Sequence, residues 1–306
     1  MTTQSGVSNE VIHSVGMPQP AEQGVAVVIP VFNEEAAIAA TVSAVQAVLQ
    51  ELSRPSEVIV VDDGSTDGTR EALKKLTGIV LVRHPLNVGY GAALKSGIRR
   101  ARHPLIAITD ADGAYPLGRL ADLIRLADGV DMVVGSRTGP NVQYSKLRSI
   151  PKWFLRRFAE WMTHHPIPDL NSGLRVFRKD IAERFLNVLP NGFSFTSTIT
   201  IAMLRTNRTV HFEPIDYHPR TGRSKIRPIR DTLNFAQLIL RTGAYFAPLR
   251  LFLPIAGVFL LLSLFSLARD IANGNLTDST TILIVATTQL AMFTVLADMI
   301  DKRSNS

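Results

Sequence analysis

Apolar residues follow two different patterns along this chain. Through most of its length they come in short runs, each followed by a stretch in which they recur every three or four positions. "VAVVIPV" (Val25 to Val31) gives way to "EEAAIAATVSAVQAVLQEL", where Ile38, Val42, Val45 and Leu49 share one helical face. The alternation continues through "EVIVVDDGS" and "GTREALKKL", "GIVLVRH" and "GYGAALKSGIRRAR", "LIAITDAD" and "GRLADLIRLA", and closes at "VDMVVGSR". Nearly continuous apolar strands alternating with helices predict an α/β domain, a mainly parallel sheet covered on both faces. It is expected over residues 24–227, after a polar, disordered tail at 1–23 with no signal-peptide pattern.

The second pattern is unbroken. "LFLPIAGVFLLLSLFSLA" (Leu251 to Ala268) and "TTILIVATTQLAMFTVLA" (Thr280 to Ala297) carry no charge, and each has 18 residues, close to the roughly 20 a helix needs to cross a bilayer. Both are apolar all round, and only "RDIANGNLTDS" separates them. They predict a transmembrane hairpin at 248–300, with spans about 249–268 and 280–298, rather than a helical pair inside a soluble core. Arg250 precedes the first span, and Lys302 and Arg303 follow the second in the tail 301–306. The positive-inside tendency then makes this an integral membrane protein whose large domain and C-terminus lie on the cytoplasmic side. Such a hairpin also offers a surface for self-association into a homo-oligomer.

Two amphipathic stretches lie between. Within 146–163, Leu147, Ile150, Phe154, Phe158 and Trp161 share a face, accompanied by Lys146, Arg148, Lys152, Arg156 and Arg157. That combination suits a helix at lipid headgroups. Within 228–247, Arg230, Asn234, Gln237 and Arg241 alternate with Leu233, Ala236 and Leu240. This helix fits either the bilayer interface or a core-packed position with a solvated charged side.

Composition narrows the chemistry. Zero cysteines remove disulfides, thiolate catalysis, iron–sulfur clusters and cysteine-based zinc sites. Lys plus Arg total 33 against 26 acids, a net +7. The cations gather beside the membrane-like stretches and no nucleic-acid module appears, so membrane lipids and anionic ligands, not nucleic acid, are the expected partners. "GYGAALKS" has Leu94 where a P-loop needs glycine, which leaves a strand-to-helix turn. His164 and His165 are adjacent and lack zinc-ligand spacing.

In a parallel sheet ligands sit beyond the carboxyl ends of the strands. Asn33 and Glu34 follow the first predicted strand, Asp62 and Asp63 the second, Asn87 the third, Asp110 and Asp112 the fourth, and Arg137 the fifth. Each alone reads as a turn or helix-cap residue, but polar groups at five strand ends in a row point to a site. Two like charges as close as Asp110 and Asp112 are unfavourable unless a cation or several donors compensate. Mg²⁺ or Mn²⁺ suits such oxygen ligands, with substrate phosphates and water completing the shell.

The ordered motifs "VVIPVFNEE", "EVIVVDDGSTDGT", "NVGYGAALKSGI", "ITDADGAYP", "VVGSR" and "DLNSGLRVFRK" resemble those of family 2 glycosyltransferases of the GT-A fold. With the hairpin after them, the chain is similar to the polyprenyl-phosphate glycosyltransferases, the branch that contains dolichyl-phosphate mannose synthase. The resemblance covers roughly Val25 to Arg241 and implies metal-dependent, inverting transfer of a sugar from a UDP- or GDP-sugar to undecaprenyl or dolichyl phosphate. It implies that Pro30, Asn33 and Glu34 line the nucleotide pocket, with Asp63 facing base or ribose and Asp62 beside it. Asp110 and Asp112 would hold the metal and the donor diphosphate. Arg137 and Arg148 would contact the acceptor phosphate, Asp169 would sit near the donor sugar and position the nucleophile, and Arg220 and Lys225 would close over the phosphates. Ala114 departs from the pattern, since relatives often place glutamine there as a further contact to the metal.

An ionised phosphate monoester needs no strong base, only alignment, charge neutralisation and help for the leaving diphosphate. Two other readings stay open from sequence: transfer to another lipid or to a polysaccharide, although the Gln-x-x-Arg-Trp signature of processive relatives is missing, and a non-catalytic membrane protein that binds a nucleotide sugar.

Overall fold

The computed structural model describes residues 23–139, 149–217, 241–245 and 247–304. Seven strands among them form one sheet: β1 (Val25–Val31), β2 (Ser56–Asp62), β3 (Ile79–Arg83), β4 (Leu105–Ile108), β5 (Met132–Ser136), β6 (Arg175–Arg178) and β7 (Val210–Pro214), in the order β3-β2-β1-β4-β6-β5-β7. β6 alone runs against its neighbours, pairing antiparallel with β4 and β5, and all other pairs are parallel. The expected α/β architecture with a mainly parallel sheet is present, and the reversed strand is an addition to it.

The helices that cover the sheet are α1 (Ile38–Glu51), α2 (Thr69–Lys74), α3 (Tyr90–Arg100), α4 (Leu120–Leu126), α5 (Ser149–Thr163), α6 (Lys179–Phe185) and α7 (Phe195–Arg205). Alternate residues of β1 feed two cores: Val25, Val27 and Ile29 pack with α1 and α4, while Ala26 and Val28 pack with α3, α5 and α7. Each fully buried Val or Ile contributes about 1.5–3 kcal/mol, which explains why the central strand is apolar on both sides. α3 lies so close to β1 that a Cβ on Gly97 would collide with Val28 Cγ1.

Two long helices follow, α8 (Pro248–Ala272) and α9 (Asp278–Ser304). Their polarity is inverted relative to a pair in water. Leu261, Phe265 and Ile300 point outward, while Ser263, Ser266 and Asp270 of α8 are buried against Thr280 and Thr287 of α9. Apolar surface outside with hydroxyl pairs inside is the arrangement that lipid surroundings favour. Arg250 fastens this hairpin to the α/β unit by donating to the carbonyls of Trp161 (3.2 Å) and Met162 (2.6 Å) at the end of α5.

α5, the helix expected at lipid headgroups, packs one side into the α/β core. Among its described side chains Leu155, Ala159 and Met162 are buried in the core and Phe158 packs against it, while those of Ile150, Lys152 and Phe154 lie outside the described ones. Trp161, from the predicted apolar face, is exposed together with Trp153. Arg156 and Arg157 both pair with Glu160. Lys146 to Arg148 lie outside the described residues, as does the predicted 228–247 helix apart from 241–245, which is helical, and 247.

Candidate active site

The rim at the carboxyl ends of the strands is built by loops that bond to one another. Asn33 leaves β1 in the left-handed region (φ 57°), a conformation asparagine tolerates better than most residues. From there its amide donates to Ser65 Oγ (3.1 Å) and its Oδ1 accepts from the Thr66 amide (2.8 Å). The Glu34 amide donates to Thr69 Oγ1 at 2.9 Å, so the exits of β1 and β2 are joined. Pro30, the penultimate residue of β1, is buried opposite Val61 and forms part of the floor.

Asp62 and Asp63 both turn inward. Asp62 Oδ1 accepts from the Ser65 amide (2.9 Å), while Oδ2 has no hydrogen bond and faces Arg70 Nε at 3.4 Å. Asp63 holds the loop between β3 and α3. Its Oδ1 takes the Val88 amide (3.0 Å) and His84 Nδ1 (2.7 Å), and its Oδ2 takes the Gly89 amide (2.8 Å). The other ring nitrogen of His84 meets Ser96 Oγ at 2.9 Å. Both carboxylates therefore sit within the wall of the rim.

Asp110 and Asp112 follow β4 and are half-buried. Tyr90, at the start of α3, donates its hydroxyl to Asp110 Oδ1 at 2.9 Å. Burial first, and then the Asp110 charge, push the Tyr90 phenol well above its ordinary pKa, so it stays a proton donor. Asp112 Oδ1 accepts from the Ala114 amide (3.1 Å). Among the described residues no third His, Cys, Asp or Glu completes a metal-ligating group. Asp110 and Asp112 are the two carboxylates here that could hold a hard cation such as Mg²⁺ or Mn²⁺, with phosphate and water supplying the remaining ligands.

Opposite the acids, Arg137 at the end of β5 meets Asp169. Nε donates to Oδ2 (2.7 Å), Nη2 to Oδ1 (2.9 Å) and the Arg137 amide to Oδ2 (3.0 Å). Burial acts to raise the Asp169 pKa, but the Arg137 hydrogen bonds and charge outweigh it and hold the carboxyl below its ordinary value. The Arg137 guanidinium also lies over the Tyr217 ring, 5.2 Å from its centroid, and Tyr217 meets Tyr115 edge-on.

The segment 169–173 joins the two halves, because β6 runs backwards and the chain therefore enters it at the rim. The Gly173 amide donates to Tyr115 Oη (2.6 Å), and a Cβ at Gly173 would stand 2.7 Å from Asp110 Oδ2. Ser172 Oγ donates to the Gly135 carbonyl (2.5 Å) and Ser197 Oγ to Asn171 Oδ1. Beneath it Arg175 is fully buried, donating to the carbonyls of Ser172 and Thr196 and to Thr200 Oγ1. Burial is the main reason its pKa falls to about 10, and it remains a cation at neutral pH.

The structure thus brings Asn33, Glu34, Asp62, Asp63, Asp110, Asp112, Arg137 and Asp169 to one rim. Arg148, Arg220 and Lys225 lie outside the described residues. Tyr90, Tyr115 and Arg175 were not anticipated. Tyr90 stood in a stretch read as a strand-to-helix turn and helix, and Arg175 in the motif DLNSGLRVFRK, where Asp169 alone carried an expected role. Phe193, 82 % exposed, stacks on Tyr90 with ring centroids 5.4 Å apart and was equally unmarked.

Two family models match the chain: glycosyl transferase family 2 over residues 26–186, and the GtrB C-terminal hairpin over residues 247–302. The low-salt glycan biosynthesis hexosyltransferase Agl6 of Haloferax volcanii is 30 % identical over 221 residues, 70 % of this chain and 52 % of that protein. The undecaprenyl-phosphate 4-deoxy-4-formamido-L-arabinose transferase of Aeromonas hydrophila is 33 % identical over 188 residues, 56 % of each. This chain spans about half the length of these curated relatives. Glucosyl-3-phosphoglycerate synthase from Mycobacterium tuberculosis, solved with Mn²⁺, UDP and phosphoglyceric acid, shares the fold: TM-score 0.55, 19 % identity, 76 % of this chain and 85 % of that one.

Proposed function

Because this chain belongs to glycosyl transferase family 2, we propose that it moves a sugar from a UDP- or GDP-sugar to the phosphate of a polyprenyl phosphate, undecaprenyl or dolichyl. The observation that carries this reading is the pairing of Asp110 and Asp112 on one side of the rim with the Arg137–Asp169 clamp on the other, in a chain that ends in an apolar hairpin. Matches to an undecaprenyl-phosphate transferase and to the GtrB hairpin support the lipid acceptor.

Asp110 and Asp112 would hold Mg²⁺ or Mn²⁺, which when bound neutralises the departing diphosphate. Tyr90 fixes Asp110, and the Gly173 backbone packs against the same carboxylate. Asn33 and Glu34, with Pro30 beneath, border the nucleotide pocket, whose wall Asp62 and Asp63 hold in place. Arg137 offers a guanidinium to the acceptor phosphate and Asp169 sets its plane, which suits bidentate recognition of phosphate. By sequence correspondence Arg148, Arg220 and Lys225 supply further phosphate-binding cations. The acceptor oxygen, already ionised, attacks the anomeric carbon from the side opposite the diphosphate, and the configuration inverts. No base is required.

The hairpin anchors the protein in the membrane, and the positive-inside tendency places the α/β unit and the C-terminus in the cytoplasm. The test is a panel of UDP- and GDP-sugars incubated with undecaprenyl or dolichyl phosphate and Mg²⁺ or Mn²⁺, scoring label in the organic phase. Metal-dependent glycolipid that disappears on chelation supports the proposal. Donor consumption without organic-phase label redirects it to another acceptor, and donor binding without turnover to a non-catalytic role.

A further inference from the structure

A second group of cations, Lys95, Arg99 and Arg241, gathers around the turn after α6. Lys95 on α3 donates to Asn191 Oδ1 (2.8 Å), and Arg241 donates to the Val188 carbonyl (3.2 Å), so both are fastened to the turn after α6. Arg99 lies one helical turn beyond Lys95 on α3. None of the three forms an ion pair with a carboxylate among the described residues. Burial, and then the charges of Arg99 and Arg241, lower the Lys95 pKa, the mark of like charges held close without an acid between them.

Beside Arg241 is a pocket of about 90 Å³ lined by Asn187, Val188, Thr198, Arg241, Thr242 and Tyr245, several times what one water needs. Thr242 is 2 % exposed, and its Oγ1 has no hydrogen-bond partner. An unpartnered buried hydroxyl is unfavourable and asks for a polar group to meet it. The segment 241–245 leads within a few residues into Pro248, the first residue of α8, and Gly243 packs against Leu251 and Phe158. Along the α3 axis, Lys95 and Arg99 stand about 8 and 14 Å from Tyr90, which separates this group from the acids at the rim.

We infer that this pocket, with Arg241 in its lining and Lys95 and Arg99 close by, binds the phosphate of an anionic membrane lipid, at a place separate from the lipid acceptor. Guanidinium and ammonium donors match phosphate oxygens, and Thr242 supplies a hydroxyl donor from within. A lipid is the source because the pocket adjoins the point where the chain enters the apolar hairpin, and cations at such a junction attract anionic headgroups. The inference does not depend on sugar transfer, since its readout is lipid retention.

In the test, the full-length protein in neutral detergent is incubated with phosphatidylglycerol, phosphatidylcholine or inorganic phosphate, and bound molecules are counted by native mass spectrometry. Phosphatidylglycerol is expected to be retained in preference to phosphatidylcholine. Lys95→Gln and Arg241→Gln each weaken its binding about fivefold, and Arg241→Lys restores most of the loss. Thr242→Val, of the same shape without the hydroxyl, also weakens retention while the melting temperature does not fall. Should Arg241→Gln not fold, Lys95→Gln and Thr242→Val decide the matter. Equal retention by wild type and all variants would mean lipid merely coating the hairpin and would overturn the inference. So would inorganic phosphate binding with no preference between the two lipids, which would make this a site for soluble phosphate.

Discussion

Arg137 and Asp169 are joined by three hydrogen bonds, two from the guanidinium and one from the arginine's own amide, and all three end on one carboxylate. The pair is 12 % and 8 % exposed. Removing one member of so buried a pair strands the other's charge, at a cost of about 3–5 kcal/mol. Arg137→Gln is therefore expected to destabilise the protein by about that much. Combined with Asp169→Asn it should cost clearly less than the sum of the two single changes, a non-additivity that a double-mutant cycle by chemical denaturation would measure.

The same clamp sets a pH dependence. Asp169 has its pKa lowered in the folded state, so its stabilisation is complete above the unfolded carboxyl value of about 3.9 and is lost as the pH falls through the folded value. Stability measured from pH 6 downward should decline below about pH 4. Asp169→Asn should be less stable than wild type at pH 6 and should flatten that decline. An unchanged acid slope in the variant would assign the titration to other carboxylates.

Gly173→Ala isolates the acid pair. The new Cβ would stand 2.7 and 2.8 Å from the two carboxylate oxygens of Asp110, and the carboxylate can swing away where backbone could not. The melting temperature should change little, whereas Mn²⁺-linked donor binding, read by calorimetry, should weaken by at least about tenfold. Retained binding would show that Asp110 has room to spare.

Tyr90→Phe removes one hydroxyl and keeps the ring stacked on Phe193. Hydrogen bonds to charged groups contribute about 1.5–3 kcal/mol. With Asp110 less firmly held, turnover should fall about tenfold or more at subsaturating metal and recover in part as metal is raised. A loss independent of metal concentration would argue that Tyr90 serves the donor directly.

In the hairpin, Ser263 meets Thr287 at 2.8 Å and Ser266 meets Thr280 at 2.5 Å. Hydrogen bonds of this kind between helices in lipid contribute about 0.6 kcal/mol on average. Thr287→Val should therefore destabilise the pair only slightly in a detergent-unfolding titration. Asp270→Leu should do more, because Thr277 and Thr280 both lose an acceptor.

The strands β1 to β5 were legible as apolar runs, and the polar residues after them lie at one rim as the parallel-sheet rule requires. The apolar hairpin was legible from length and composition. β6 was not: "RVFR" is four residues long and bracketed by arginines, too short and too charged to show as an apolar run, yet Arg175 is fully buried. α7 hid for a different reason, since "FTSTITIAMLR" is rich in β-branched residues and its helical state is imposed by packing. Nor could sequence tell which carboxylates face outward. Asp62 and Asp63 followed a strand as Asp110 did, and only the loops folded over them turned them into wall.

The reversed β6 also dictates an order of assembly. β3, β2, β1 and β4 are neighbours in the sheet and adjacent in the chain, so they can associate as soon as residue 108 exists. β5 cannot join them then, because its sheet partners β6 and β7 are synthesised later. Until Arg175 to Arg178 emerge, β4 presents a bare edge of the kind that recruits stray strands. A ribosome paused between residues 140 and 174 would thus hold a nascent half-protein with the loops after β1 and β2 already formed and its sheet still open to aggregation, the interval in which a chaperone has most to shield.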